Sequence, residues 1–321
     1  MHVLIIFFLY RIIFIISRFH PDPFKIPFIN ITQHTMNNNN QDNESISKSG
    51  GRVAVITGSS KGIGRAIALN FAKSKDYSSI VINSRSIDEA ELVVQEIKKT
   101  TKCDSIAIPG DVAQEKDCIR LIDETVDKFQ RLDVLVNNAG IQKEIPLTET
   151  TLQDWYNIIS VDLTGPFICS REAVKQMKVQ NNPRGGCIIN ISSVHQIIPR
   201  PHYVPYATAK GGIDMMTKTM ALELATENIR INIVAPGAID TDMNINLRTD
   251  AQERENTLRK IPMGRIGKDE EVANVVEFLA SHKASYITGS TVIVDGGMTL
   301  YPSFSLNYDH NSTHIFPKGS M

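Results

Sequence analysis

A single doubly wound, seven-stranded parallel sheet with helices on both faces is the fold that the sequence predicts. Three observations predict it. Seven short β-branched runs are continuously apolar, as strands buried on both faces must be. Amphipathic stretches at helical spacing alternate with those runs. A glycine-rich turn directly follows the first run. At ~150 residues per domain the length allows two domains, but one α/β unit can reach ~250 residues. The pattern supports one unit over residues 52–304, between an N-terminal segment, 1–51, and a tail, 305–321.

The first run, VAVIT at 53–57, leads through the glycine turn into a helix carrying Ile63, Ile67 and Phe71 on one face. After IVIN (80–83), Ser86 and Glu89 stand at capping-box spacing, and Ala90, Val93, Val94 and Ile97 form the stripe behind them. After SIAIPGD (105–111), Ile119, Ile122, Val126 and Phe129 repeat the helical spacing. DVLVNNAG (133–140), CIINISS (187–193), RINIVAPG (230–237) and TVIVDGG (291–297) complete the set. Strand and helix alternating in this way close as right-handed crossovers on a parallel sheet.

Hydrophobic residues make up 42% of the 321-residue chain and charged ones 21%, which excludes a disordered chain, a collagen-like repeat and a disulfide-stapled mini-protein. Thirty-four basic against 35 acidic side chains give a net charge of −1, so no global basic field exists to attract nucleic acid. Cys103, Cys118, Cys169 and Cys187 lack metal or redox spacing and read as buried free thiols, which suits a reducing, cytoplasmic setting. No metal site is expected, and His310 and His314 suggest none.

Residues 3–16 are apolar except for Arg11, a run shorter than the ~20 residues that span a bilayer. The polar run 36–51 reads as an Asn-rich linker. Three explanations stay open for this segment: an anchoring or targeting element, a variable tail, or upstream sequence with Met36 as the true start. Membrane association is expected only if residues 3–16 are retained.

Thr57-Gly58-Ser59-Ser60-Lys61-Gly62-Ile63-Gly64 lies between the first strand and the first helix. Glycines at 58, 62 and 64 allow a tight turn, approach of a pyrophosphate, and close helix–strand packing. The helix N-terminus favours the anion, as in a Rossmann-type dinucleotide site. An NAD site places a carboxylate roughly 20 residues beyond the turn, on the ribose 2′-hydroxyl. Here that place reads Asn83-Ser84-Arg85-Ser86, with no acid until Asp88. Arg85, aided by Lys61, suits a 2′-phosphate. NADP is favoured, NAD stays open, and both cations could also be ordinary surface charges.

Tyr206 and Lys210, four apart at a helix start, share one helical face. A Lys⁺ at ~4 Å, with an effective dielectric near ~20, favours a phenolate by about 4 kcal/mol, roughly three pKa units as an upper guide. The expectation is a phenol drawn towards working pH. Ser193 ends the fifth strand, where open α/β sheets place their ligands.

The Gly-x-x-x-Gly-x-Gly spacing, Asp111-Val112, Asn137-Asn138-Ala139-Gly140, Ser193 and Tyr-x-x-x-Lys, in that order, resemble the short-chain dehydrogenase/reductase family. The resemblance implies that Thr57, Gly58, Ser59, Lys61, Gly62, Ile63 and Gly64 form the cofactor turn. It implies that Asp111 and Val112 flank the adenine, and that Asn138, with Ala139 and Gly140, steadies the sheet beside the cofactor. By the same resemblance Ser193 bonds the reacting oxygen, Tyr206 exchanges its proton, and Lys210 also holds the nicotinamide ribose. Pro236, Gly237, Ile239 and Thr241 match the loop that holds the carboxamide. The family usually has asparagine in a V-N-L-x-G pattern; this chain has Val161-Asp162-Leu163-Thr164-Gly165. A carboxylate at 162 would stabilise Lys210 as a cation and partly cancel its effect on the phenol, so an active enzyme with a shifted pH optimum is expected.

Ser192-Ser193-Val194-His195, Ile261-Pro262-Met263-Gly264 and residues 296–304 are similar to the bacterial glucose 1-dehydrogenase branch of that family. That likeness implies oxidation of a sugar's anomeric hydroxyl to a lactone, glucose to gluconolactone. Gln142 and Gln196 stand where this branch leads one to expect carboxylates, and Pro205 precedes the tyrosine. His195 either bonds a substrate hydroxyl or packs. By the resemblance to the family, the polar residues 242–268 stand in the position of its substrate lid. Alternatives are a 3-oxoacyl-type or general carbonyl reductase, a catalytically silent dinucleotide-binding protein, or a membrane-anchored one. The resemblance also implies a homotetramer, with Met215, Met216 and Met220 at an interface or in the core.

Overall fold

The computed structural model describes residues 51–180 and 185–300. The expectations for residues 1–50 and 301–321, including the apolar stretch, the Asn-rich linker and the tail histidines, lie outside the described residues. Seven strands form: β1 (Arg52–Ile56), β2 (Tyr77–Ser84), β3 (Asp104–Pro109), β4 (Val134–Asn137), β5 (Gly186–Ile191), β6 (Ile229–Pro236) and β7 (Thr291–Val294). They pair in the order β3-β2-β1-β4-β5-β6-β7, each pair parallel, as predicted.

The helices are α1 (Gly62–Lys73), α2 (Ile87–Thr100), α3 (Glu115–Phe129), α4 (Leu152–Ile159), α5 (Gly165–Val179), α6 (Val204–Leu224), α7 (Asn246–Thr249), α8 (Ala251–Leu258) and α9 (Asp269–Ala280). Strand alternation sends Ala54 and Ile56 to one face and Val55 to the other, building two cores. Ile67 and Phe71 of α1, Val94 of α2 and Val276 of α9 join Ile56, Ile80 and Ile82. Leu121 of α3, Ile168 and Met177 of α5, and Leu224 of α6 join Val55, Val81 and Ile188. Side chains as completely enclosed as Phe71 contribute ~1.5–3 kcal/mol each relative to exposure.

Two local expectations change. On α3 the buried set is Cys118, Leu121, Ile122 and Thr125, whereas Ile119, Val126 and Phe129 are half-buried. The helix is rotated because Cys118 and Thr125 satisfy their polar atoms locally, on Val112 O at 3.2 Å and Leu121 O at 2.7 Å, and so pack as small apolar groups. On α2, Ser86 Oγ accepts from Glu89 N at 3.3 Å, but the Glu89 carboxylate does not return to the cap. The four cysteines are free and buried, as expected. The polar stretch after β6 folds into α7 and α8, the latter capped by Asp250. Among the described residues no helix is long and apolar enough to cross a membrane.

Strand order reverses between β1 and β4. The crossovers leave β1 towards β2 and β3 on one side and return to β4 on the other, so a crevice opens at the carboxyl ends of these two strands. At their other ends Asp133 ties the pair together. Its Oδ2 accepts from Val53 N at 2.8 Å and Arg131 Nε at 2.8 Å, and its Oδ1 from Arg131 Nη2 at 2.6 Å. Asp133→Ala strands a strand N–H and a largely buried guanidinium, and should destabilise by about 3 kcal/mol. Urea unfolding checks this: a lower midpoint at unchanged slope is expected, and an unmoved midpoint contradicts it.

Candidate active site

The crevice is a cleft of about 380 Å³. Its floor begins at the glycine turn. Gly58 has φ of +60°, and a Cβ there would lie 2.8 Å from Ala139 Cα, so only glycine lets β4's exit approach so closely. A Cβ on Gly64 would strike Gly58 O at 2.5 Å and the Asn138 amide, so α1 meets the strand end only without a side chain. The α1 cap residue, Lys61, makes no side-chain capping bond, which leaves the first helical N–H groups facing the cleft.

Hydrogen bonds behind the turn hold the two strand ends at fixed separation. Thr57 Oγ1 accepts from Asn138 N at 2.9 Å and Ala139 N at 3.1 Å. The Asn138 side chain donates back to Thr57 O and Gly58 O, each at 2.9 Å. Ser59 Oγ donates to Ile56 O at 2.7 Å and accepts from Asn83 N at 3.1 Å. Asn83 Nδ2 reaches Ile108 O at 3.1 Å and Gly110 O at 3.3 Å, joining β2 to the exit of β3. Thr57 and Ser59 are therefore buried supports and do not line the cleft, unlike the other turn residues predicted from sequence. Asn83's bracing role was missed, because an asparagine ending a strand carries no pattern distinguishing it from a turn residue.

Lys61, Arg85, Asp111, Val112, Asn138, Ala139 and Gly140 face the cleft from one side. Pro236, Gly237, Ile239 and Thr241 face it from the β6 exit, where Ile239 and Gly267 make an isolated parallel bridge. The turn, the α1 N-terminus and the exposed Lys61 and Arg85 fit an extended ligand bearing phosphates, the shape of a nicotinamide dinucleotide.

Ser193, Tyr206, Lys210 and Asp162 meet at the other end of the same cleft. Ser193 caps a short 3₁₀ turn, accepting from His195 N at 3.2 Å. Lys210, one turn after Tyr206 on α6, places Nζ 5.4 Å from the phenol ring centroid and donates to Ile191 O at 3.3 Å. Between α4 and α5 the helix widens into a π turn, Ser160–Thr164, which turns Asp162 towards the lysine. Asp162 is fully buried; its Oδ1 accepts from Ile141 N at 2.8 Å and its Oδ2 lies 3.1 Å from Lys210 Nζ, an ion pair more than a directed hydrogen bond.

The electrostatics correct one expectation. Burial raises the Tyr206 phenol above the ordinary tyrosine range, and Asp162 raises it further; Lys210 and the Ser193 hydroxyl pull it down without prevailing. The phenol alone with its lysine is thus not drawn towards neutral pH: the desolvation that made the cation's pull an upper guide outweighs it. Burial works against the Lys210 ammonium, but the charges of Asp162 and Tyr206 outweigh it and hold the lysine above its usual range. Burial also raises the Asp162 carboxyl, against the pull of Lys210.

His195 does not line the cleft; its ring stands edge-on to Tyr206 at 6.3 Å with Nδ1 3.1 Å from Ile198 O. Burial depresses its pKa, which keeps the ring neutral at neutral pH with Nδ1–H as the donor. Gln196 is bonded away, to Asp214 Oδ1 at 3.2 Å and Thr291 Oγ1 at 3.3 Å. Gln142 donates to Met243 O at 3.1 Å and so links the β4 loop to the segment after β6. Among the described residues no cluster of histidine, cysteine and acidic side chains could hold a metal ion.

A family model described as enoyl-(acyl carrier protein) reductase matches residues 58–299. Glucose 1-dehydrogenase 2 of Bacillus subtilis is 45% identical over 254 residues, covering 79% of this chain and 96% of the relative. A 3-oxoacyl-(acyl-carrier-protein) reductase of Staphylococcus aureus is 44% identical over 245 residues, covering 76% and 97%. Among solved structures, gluconate 5-dehydrogenase from Burkholderia cenocepacia, in complex with NADP and tartrate, superposes with a TM-score of 0.73 at 35% identity, over 78% of this chain and 96% of that one. Fold, glycine turn and sequence likeness agree: the chain belongs to the short-chain dehydrogenase/reductase family of NAD(P)-dependent oxidoreductases.

Proposed function

We propose that the chain oxidises the anomeric hydroxyl of a sugar, glucose to gluconolactone, with NADP as the favoured cofactor and NAD as an alternative. The observation that carries the reading is the convergence of Ser193, Tyr206 and Lys210 in the cleft that also holds the glycine turn. Likeness to the glucose 1-dehydrogenase of B. subtilis supports the substrate. Arg85 and Lys61, which have no ion-pair partner among the described residues, support NADP.

When bound, the dinucleotide supplies a hydride acceptor. The chain's residues do the remainder. Ser193 Oγ donates to the substrate oxygen and fixes it beside the Tyr206 phenol. Tyr206 takes the hydroxyl proton at Oη, and the Lys210 ammonium beside the ring stabilises the phenolate that this requires. Lys210 would also hold the nicotinamide ribose of the dinucleotide. Neutral His195, packed edge-on to Tyr206 and bonded to Ile198 O, acts on the site through the tyrosine ring it supports. A second reading, reduction of a 3-oxoacyl thioester, is favoured by the likeness to the S. aureus reductase. Self-association fits the large apolar side chains left exposed on α4, α5 and α6, among them Leu152, Phe167, Met215 and Leu222, while Met216 and Met220 pack inward.

Initial rates with the purified full chain decide between the readings. Glucose-dependent reduction of NADP or NAD is expected; turnover of acetoacetyl thioester without any glucose oxidation would overturn the first in favour of the second. Asp162 has its own test. Its charge raises the pKa of both Tyr206 and Lys210. Oxidation needs the phenolate and the ammonium, so the pH–rate profile rises with the first titration and falls with the second. Asp162→Asn removes the common cause and should move both limbs to lower pH, read as kcat/KM against pH on protein whose melting confirms the fold. A profile overlaying that of the unsubstituted enzyme would contradict the role given to the carboxylate.

A further inference from the structure

Glu89 occupies the third position of α2, where a capping-box carboxylate would accept from the backbone N–H of the cap residue, Ser86. It does not. Ser86 N donates instead to Ser84 Oγ at 3.3 Å, and Glu89 Oε2 crosses to the glycine turn, accepting from Ser60 Oγ at 3.0 Å. Ser60, Arg85, Ser86 and Glu89 together line the adenosine end of the cleft, the place beyond β2 where a dinucleotide's ribose 2′ group is read. The carboxylate has left a bond worth a fraction of the helix's stability for a position beside the cofactor turn. It shares that place with Arg85 and Lys61, two exposed cations that have no ion-pair partner among the described residues.

We infer that Glu89 is a specificity-determining residue for the dinucleotide: held by Ser60, its carboxylate accepts from a ribose 2′-hydroxyl and opposes a 2′-phosphate. The inference rests on the proposed cofactor cleft and deepens it. Arg85 and Lys61 attract the phosphate, Glu89 repels it and suits the hydroxyl, and the balance gives a site that takes both dinucleotides with the preference set by one acid against two bases. The sequence pattern places the acid outside the usual strand-end position. It comes within reach only because the helix start turns it back over the glycine turn.

Two fragments isolate the effect from turnover: 2′,5′-ADP, which carries the extra phosphate, and 5′-AMP, which carries the hydroxyl. Dissociation constants for both, by calorimetry on the full chain, are compared for the unsubstituted protein, Glu89→Gln and Ser60→Ala. At an exposed site a unit charge about 6 Å from a phosphate carrying about −1.5 charges shifts affinity by roughly fivefold. Glu89→Gln should therefore improve the preference for 2′,5′-ADP over 5′-AMP by about fivefold. Ser60→Ala, which frees the carboxylate from its tether, should move the preference the same way by less. The gain should shrink as salt is raised from low to molar concentration, where screening is short-ranged. The Glu89→Gln change keeps the α2 cap intact, because the donor there is the residue's own backbone N–H. A preference unmoved by Glu89→Gln would overturn the inference while leaving the cofactor cleft standing. Failure of the unsubstituted protein to bind either fragment would overturn both.

Discussion

Everything in this molecule that bears on chemistry depends on how β1 and β4 part company. They run side by side through the sheet, tied by Asp133 at one end, and the reversal of strand order leaves a crevice at the other. A crevice between diverging strands would close or splay without a brace. Thr57 and Asn138 supply it: one hydroxyl takes two backbone N–H groups of the opposite strand exit, and one side-chain amide returns two bonds to the first. Thr57 itself does not line the cleft, although Asn138, Ala139 and Gly58, which its network holds, do. These bonds fix the distance across which the glycine turn and the segment after β4 confront each other.

The far end of the cleft has a different logic, in which burial and charge oppose one another. Tyr206 and Lys210 are brought together by a single helical turn, yet the dry setting that positions them raises the phenol. Asp162 belongs to the same compromise. The π turn that carries it breaks the long helix α4–α5 at the level of the cleft and puts a carboxylate against the lysine. A buried ion pair adds little to stability once desolvation is counted. Its consequence here is to pin the ammonium and its charge, leaving less of that charge to act on the phenol. On the proposed reading the pair exchanges some acidity of the tyrosine for a lysine that stays protonated and in place.

Much of this was legible in the sequence. Apolar runs marked seven strands because strands buried on both faces need no alternation, and the stripe Ala90, Val93, Val94, Ile97 marked α2 because one face of a helix alone meets the sheet. Chemistry-bearing residues were found because their types are unusual where they stand: glycines after a strand, an aspartate amid Val161 and Leu163. What escaped was of another kind. The rotation of α3 depends on Cys118 and Thr125 hiding their polar atoms, and Asn83 on β2 braces the exit of β3 through its amide N–H groups and that of β1 by accepting from Gly58 N at 3.4 Å; no periodicity encodes either. Glu89 was read as a cap because its spacing from Ser86 fits one, and only the three-dimensional approach of Ser60 gave its carboxylate another partner.

The central claim is that a hydroxyl outside the cleft governs the cleft. Thr57→Val keeps the shape of the side chain and removes the oxygen, leaving the half-buried N–H groups of Asn138 and Ala139 without their acceptor, each lost bond being worth about 0.5–1.5 kcal/mol. Direct titration of the folded variant with NADPH, followed by energy transfer from protein to nicotinamide fluorescence, measures what that does to the site. The account predicts a dissociation constant raised about tenfold or more, equivalent to about 1.4 kcal/mol, although Thr57 does not line the cleft. An affinity equal to that of the unsubstituted protein would contradict it.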